Sequence, residues 1–350
     1  MDRNFVNIIG YQFEKVHTGV LRWLLDSKNR VVSIEQKYEI LKRIYRICGK
    51  KIDFDQHEIA NITCIPEYSF GRRRKIDLVV KIDLFKNCTK YLVIEMKVDS
   101  IPYERQLEGT YIDFMQNKNC DNNDVIFLLF LFGASQVWKG LNPQGFVVFR
   151  LNEIIEVFSK LDINENIYRD WIKALKEEDI RKNNIELNID KTKNIWDGDY
   201  WKDKGYRIWF PLFYYIYNEL RKTSKRFEEW DIYSGQNNPV MNWSKGWLEK
   251  NFFGSKIYFY WEFNYEAFVL KVMLDEENKM SQNNLKKLRS KIVKICEPES
   301  NGIGYQTQNR YGTYNSIYKW KFNFKEKSFS EIMIETDRIL DRIHPQLESL

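Results

Sequence analysis

The sequence predicts an α/β domain over residues 1–185 followed by a smaller α+β domain over residues 195–350. Three observations carry this expectation. Apolar residues alternate with polar ones at Ile76, Leu78, Val80 and Ile82, and again at Leu92, Ile94 and Met96, the period of two expected of strands. Segments of helical period flank these strands, and an unbroken apolar run, Val125 to Phe132, reads as a strand buried on both faces. Eight of the eleven tryptophans follow residue 195, so the second half has a composition of its own.

The first element reads as one helix from Asn4 to Asp26, with Val16, Val20, Leu21, Leu24 and Leu25 at helical spacing. A second helix spans Ile34 to Cys48. Strands follow at Glu58 to Tyr68, Lys75 to Asp83 and Tyr91 to Lys97, the last two joined by a turn at Lys86-Asn87-Cys88. Tyr103 to Gln116 reads as a helix, Gly145 to Arg150 as a strand and Glu153 to Leu161 as a helix. From Trp171 to Asn194 the chain is strongly charged, either a solvated helix or a connector.

Beyond it, Phe210 to Leu220 is a helix entered at Pro211, and Lys256 to Phe263 with Ala267 to Leu274 form a hairpin. Leu285 to Ile295 is a helix, Ile317 to Phe324 a strand, and Ser330 to Ile343 a closing helix capped by Ser330. Trp209, Trp261 and Trp320 are expected in the core of this second domain.

Composition narrows the classes of function. At 43% hydrophobic and 30% charged residues, the chain has the make-up of a soluble globular protein. A net charge of +6 permits nucleic acid as a partner without requiring it. The five cysteines lie far apart and form no C-x-x-C pair, which argues against a disulfide framework or a zinc site and fits a reducing cytoplasm. No apolar run is long enough to span a bilayer, and the N-terminus lacks a signal pattern, so a membrane is not expected as a partner.

The chemistry concentrates between Gly71 and Lys97. Alternation points Asp77 away from Ile76 and Leu78, and puts Glu95 and Lys97 together on the face opposite Ile94 and Met96. If the two strands pair as a hairpin, Asp77, Glu95 and Lys97 converge. Two carboxylates at one point suit a hard cation such as Mg²⁺, which takes oxygen ligands and keeps several waters. A lysine beside them can orient or deprotonate a water. Together they meet the needs of phosphodiester hydrolysis.

A bare [D/E]-x-K tripeptide is uninformative, and its ordinary meaning is a solvated strand face. Charges on a strand apolar enough to be central are costly unless paired or liganding, and here an acid 18 positions upstream lies in matching phase. Arg72, Arg73, Arg74 and Lys75 lead into the second strand, where they either meet phosphates or form a solvated turn. Glu67, ending the first strand, either reaches the site or is only a solvated strand end. The aromatic-rich second half either stacks on bases or forms core.

Arg74-Lys-Ile-Asp77, Val93-Ile-Glu95-Met-Lys97 and Gln106-Leu107 resemble the PD-(D/E)XK nuclease superfamily. Glu14-Lys-Val-His17-Thr18, followed by Leu21, Leu24-Leu25 and Asp26, resembles the E-x-x-H helix of a bacterial branch often found near defence genes. The resemblance covers Phe13 to Arg150. It implies a three-layer α/β core with a central mixed sheet, a requirement for Mg²⁺ or Mn²⁺, and a DNA substrate, with foreign or phage DNA as one target.

It also implies that Asp77 and Glu95 are metal ligands, that Lys97 is the catalytic lysine and that Glu14 completes the metal shell. His17, one turn on from Glu14, is an accessory candidate or a polar residue bonding a loop. Ile76 stands where the proline of the motif is usual. Gln106, a candidate for contact with nucleic acid, is followed by Thr110 before Tyr111, so the Gln-x-x-x-Tyr spacing of some relatives is broken.

The expectation is a cytoplasmic, Mg²⁺-dependent DNA endonuclease. Its second domain would recognise a target, a partner or a second copy in a homodimer. The alternative is a catalytically inactive nuclease fold used for DNA binding or assembly. RNA in place of DNA is a third reading that the residues leave open.

Overall fold

The structure is a computed structural model that describes residues 4–69, 75–100, 104–118, 120–133, 145–190, 192–207, 210–234 and 238–350. It divides into two compact units, Met1–Asn184 and Ile185–Leu350.

The first unit contains α1 (Phe5–Ile9), α2 (Glu14–Leu25), α3 (Ile34–Ile47), β1 (Ile59–Ser69), β2 (Lys75–Leu84), β3 (Thr89–Lys97), α4 (Glu104–Lys118), β4 (Val125–Leu131), β5 (Phe146–Phe149), α5 (Leu151–Phe158) and α6 (Asn166–Asn183). Its strands form one sheet in the order β1-β2-β3-β4-β5. Pairing is antiparallel from β1 to β3 and parallel from β3 to β5, which makes the sheet mixed.

Every residue of β4 is buried, because this strand has core on both faces. Ile126, Leu128 and Phe130 face the cluster built with α2, α3, α5 and α6. Phe127, Leu129 and Leu131 face a smaller cluster built with Leu107 and Phe114 of α4. Helices on both faces of the sheet give three layers.

Several elements differ from the expectation. The single first helix is two helices, broken at Gly10. Gly10 has φ +120°, and a Cβ there would lie 2.9 Å from the Phe13 ring, so the chain turns at a place other residues would strain. The periodic residues Val16, Val20, Leu21, Leu24 and Leu25 all fall in α2 and are buried. Ile76 does not share a face with Leu78 but packs with Val79 and Val93. The β2–β3 pairing ends at Leu78–Ile94, and Glu67, lying between the paired residues Pro66 and Tyr68, has φ +48°, so the strand twists out of alternation here. The charged stretch after Trp171 belongs mostly to α6, whose Trp171 and Leu175 are fully buried; Lys173 and Lys176 face outward, while Glu178 is buried and pairs with Arg181.

The second unit contains α7 (Gly198–Asp203), α8 (Phe210–Thr223), β6 (Trp230–Ser234), β7 (Pro239–Trp243), β8 (Leu248–Phe252), β9 (Ser255–Asn264), β10 (Ala267–Leu274), α9 (Gln282–Cys296), β11 (Gly304–Gln306), β12 (Tyr314–Lys321) and α10 (Phe329–Glu348). A seven-stranded antiparallel sheet runs β11-β12-β10-β9-β7-β6, with β8 paired to β9. Trp261 and Trp320 are fully buried in its core; Trp209 lies outside the described residues. The closing helix is capped by Ser328, not Ser330. Ser328 and Glu331 form a reciprocal capping box that sets the start two residues earlier. Among the described residues no helix is long and apolar enough to cross a membrane.

Candidate active site

The hairpin of β2 and β3 builds the centre of the site. Its register pairs Leu78 with Ile94, and beyond that pair the strands part. Asp77 turns into the opening: its Oδ2 accepts the backbone N–H of Met96 at 2.7 Å. That bond holds one carboxylate oxygen against β3, next to Glu95. Glu95 sits on a central strand and is only 1% exposed. Its Oε1 is buried with no hydrogen-bond partner among the described residues, a costly state for a carboxylate oxygen. Burial first, and then the charge of Asp77, push the Glu95 carboxyl up to about 8, with Lys97 opposing.

Lys97 continues the same face of β3. Its Nζ lies 3.8 Å from Oε1 of Glu14, the first residue of α2. Partial burial and Asp77 raise the Glu14 carboxyl, and Lys97 counteracts them. The positive end of the α2 dipole also favours an acid in this first turn. Helix α2 is set on β3 by Thr18, whose hydroxyl lies 3.0 Å from the Glu14 carbonyl oxygen and 3.4 Å from Met96 Sδ. The structure thus brings Asp77, Glu95, Lys97 and Glu14 into one electrostatic neighbourhood.

His17 takes a different place. It is fully buried, stacked on Phe132 at 4.1 Å between ring centroids. Its Nδ1 accepts from the indole N–H of Trp171 at 3.1 Å, and its Nε2 lies 2.8 Å from the Tyr11 carbonyl oxygen, which only an Nε2–H can satisfy. Tyr11 in turn donates to the Phe132 carbonyl at 2.7 Å. These bonds tie α2 to the Gly10–Phe13 turn, to α6 and to the end of β4. His17 positions the helix that carries Glu14 and keeps both ring nitrogens engaged in doing so.

Around the rim, Glu67 holds Lys15 at 3.1 Å and Lys75 at 3.0 Å, all three exposed. Lys75 therefore shares its charge with Glu67. Gln106 is exposed near the start of α4. Arg72, Arg73 and Arg74 lie outside the described residues. Lys15 and the Tyr11–Trp171 frame of His17 were not expected at the site, and Thr18 entered only as part of the Glu14–Thr18 motif. Lys15 follows Glu14 directly in the chain, the one signal that could have drawn attention to it.

The donor set is oxygen-only. Among the described residues, no three His, Cys, Asp or Glu side chains are drawn together as a ready cage. Mg²⁺ does not need one, since it is held by one or two carboxylates with waters and substrate phosphate supplying the rest. The unpartnered Glu95 oxygen beside Asp77 fits that demand.

Comparison with curated proteins and comparison with solved structures returned no match. A family model did match: that of the PD-(D/E)XK nuclease superfamily, over residues 3–191. That span takes in α2, the β2–β3 hairpin and the helices that frame them. With more than half its length under that model, and a mixed α/β core of the matching kind, the chain belongs to the PD-(D/E)XK nuclease superfamily.

Proposed function

We propose that the protein is a Mg²⁺- or Mn²⁺-dependent DNA endonuclease, with Asp77, Glu95 and Glu14 as the metal-holding acids and Lys97 as the catalytic lysine. The observation that carries this reading is the buried, unpartnered Oε1 of Glu95 beside Asp77. Burial and Asp77 make an ionised Glu95 costly in the free protein, and a hard cation that stabilises the carboxylate relieves that cost. A bound divalent ion would supply Lewis-acid polarisation of the phosphate and help activate water.

The remaining roles fall to the chain's own side chains. Asp77, anchored on the Met96 N–H, cannot swing away from Glu95 without breaking that bond. In this reading Lys97, largely buried beside Glu14, orients a water and offsets negative charge that builds on the phosphate in the transition state. Glu14 restrains the ammonium, and since the three acids are not drawn together without metal, it would join as third oxygen donor only on metal binding. Lys75, Arg72, Arg73, Arg74 and Gln106 are the proposed contacts to the nucleic-acid backbone. Foreign or phage DNA is the target that the family resemblance suggests.

Incubation of the purified protein with supercoiled plasmid, linear duplex, single-stranded DNA and RNA tests the proposal. Cleavage of DNA is expected with Mg²⁺ or Mn²⁺, abolished by EDTA and restored by excess metal. Cleavage that survives chelation would overturn the metal mechanism, and cleavage of RNA alone would overturn the substrate.

A further inference from the structure

Helix α9 of the second unit carries an unusual charge pattern. Over Gln282–Cys296 it has no acidic residue. Leu285, Leu288, Ile292, Val293 and Cys296 are buried against the core, while Lys286, Lys287, Lys291 and Lys294 are exposed. At 100° per residue these four lysines share one face. None of the four is ion-paired within the described residues. Lys287 and Lys291 instead lie over the rings of Phe253 and Phe252, each at 5.9 Å, and Phe253 is half exposed. The acids of this stretch, Asp275, Glu276, Glu277 and Glu297, lie beyond the two ends of the helix.

A basic helix face alone is commonly only a solvated surface. A second feature separates this one from that reading. Arg289 is 2% exposed, yet among the described residues no carboxylate accompanies it. Its Nη1 donates to Thr307 Oγ1 at 2.7 Å and to the Ser316 carbonyl at 2.8 Å, while its Nη2 is buried with no partner among the described residues. Burial pulls its affinity for the proton down, with no acid opposing. A buried guanidinium lacking a counter-anion is a costly arrangement in a free protein. It lines a narrow recess with Gln282, Leu285, Lys286, Asn309 and Arg310. That recess gathers three cations and two side-chain amides, and no acid.

We propose that the exposed face of α9 binds the phosphate backbone of duplex DNA, with one phosphate held by Lys286 and Arg310 at the mouth of the narrow recess above the buried Arg289. Planar guanidinium groups match phosphate oxygens, and the anion would supply the missing counter-charge. From Lys286 to Lys294 the helix rises roughly 12 Å, enough for roughly three phosphates of one strand at its axial spacing. The proposal rests on the nuclease reading for its choice of DNA, and assigns the second unit the task of holding the substrate.

The test uses the full chain in EDTA, so that cleavage cannot interfere. Binding of a fluorescein-labelled 30-base-pair duplex is followed by anisotropy across a salt series. The wild type is compared with a triple variant, K287E, K291E and K294E, and with a double variant, Lys286→Glu and Arg310→Glu. All five positions are exposed, so folding is expected to survive, and matched thermal melts check it. Each variant should bind at least about ten-fold more weakly at roughly 0.1 M salt. The slope of log affinity against log salt should shrink by roughly 0.9 for each phosphate that the variant no longer neutralises.

Plasmid cleavage with Mn²⁺ on the same preparations separates the two readings. Salt-sensitive binding that is weakened in the variants, from a wild type that cuts nothing, supports the α9 face and defeats the nuclease reading. A wild type that cuts, with variants that bind duplex as tightly and with the same slope, overturns the α9 proposal and leaves the nuclease reading standing.

Discussion

Replacement of Lys97 by alanine is expected to lower single-turnover DNA cleavage by about 10²–10⁴-fold, the range ordinarily forfeited with a positioned proton-transfer group. Binding of DNA in Ca²⁺ should stay near wild type. Lys97 carries no ligand oxygen, so its removal does not empty the metal site. Its proposed contributions, orienting the water and offsetting charge on the phosphate, are worth far more in the transition state than in the ground state. Its place supports this division: the ammonium is largely shielded from solvent and restrained by Glu14 at 3.8 Å, on the strand face that carries Glu95. Asp77→Ala should behave differently, weakening metal affinity together with rate. Single-turnover cleavage and metal titration on both variants separate the roles. A Lys97→Ala protein that cuts as well as wild type would remove the centre of the assignment.

Glu95→Gln is expected to abolish cleavage and, at the same time, to stabilise the metal-free protein. The Glu95 carboxyl is pushed up to about 8 by burial and by Asp77. The folded state therefore favours the protonated acid more strongly than the unfolded chain does. Stability from this group is fully present below its unfolded value near 4.5 and is lost as pH rises through about 8. At pH 8 the ionised carboxylate costs on the order of a few kcal/mol, which a neutral glutamine of the same shape avoids. Urea unfolding of metal-free wild type should show stability falling between pH 5 and pH 8, with Glu95→Gln nearly flat over the same range. Adding Mn²⁺ at pH 8 should stabilise the wild type and leave the variant unchanged. Identical pH profiles for the two proteins would mean that Glu95 is not held in the strained state its burial implies.

The residues of the hairpin were legible because a strand obeys a simple rule. Alternation alone puts Asp77 opposite the apolar run and Glu95 with Lys97, and the structure places all three accordingly. The same rule failed one residue earlier. Ile76 left the alternation because pairing stops at Leu78 and the backbone at Glu67 adopts positive φ, a local twist that no periodicity encodes. The first helix was misread at Gly10 for a related reason. Helical spacing continues across the break, while the turn is imposed by Tyr11 reaching the Phe132 carbonyl, 121 residues away in sequence.

His17 shows the limit for polar residues. Its position one turn after Glu14 suggested the site face, whereas its partners, Trp171 and the Tyr11 carbonyl, come from packing that only the folded chain reveals. In the second unit, β6, β7, β8 and β11 went unread. They are short, and β7 is buried at every position, so alternation is absent. Arg289 was invisible for the opposite reason: a base in a lysine-rich helix reads as solvated, and its burial is set by Thr307 and Ser316 across the fold.

Asp77 and Glu95 are proposed to hold the divalent ion of a nuclease site. Crystals of the wild-type protein grown or soaked in Mn²⁺ and measured near the manganese absorption edge test it most directly. An anomalous peak is expected within coordination distance, roughly 2 Å, of one carboxylate oxygen from each residue. The peak should be absent from Asp77→Asn crystals treated in the same way. Manganese bound elsewhere in the first unit, with both carboxylates left unliganded at millimolar metal, would rule out this metal site.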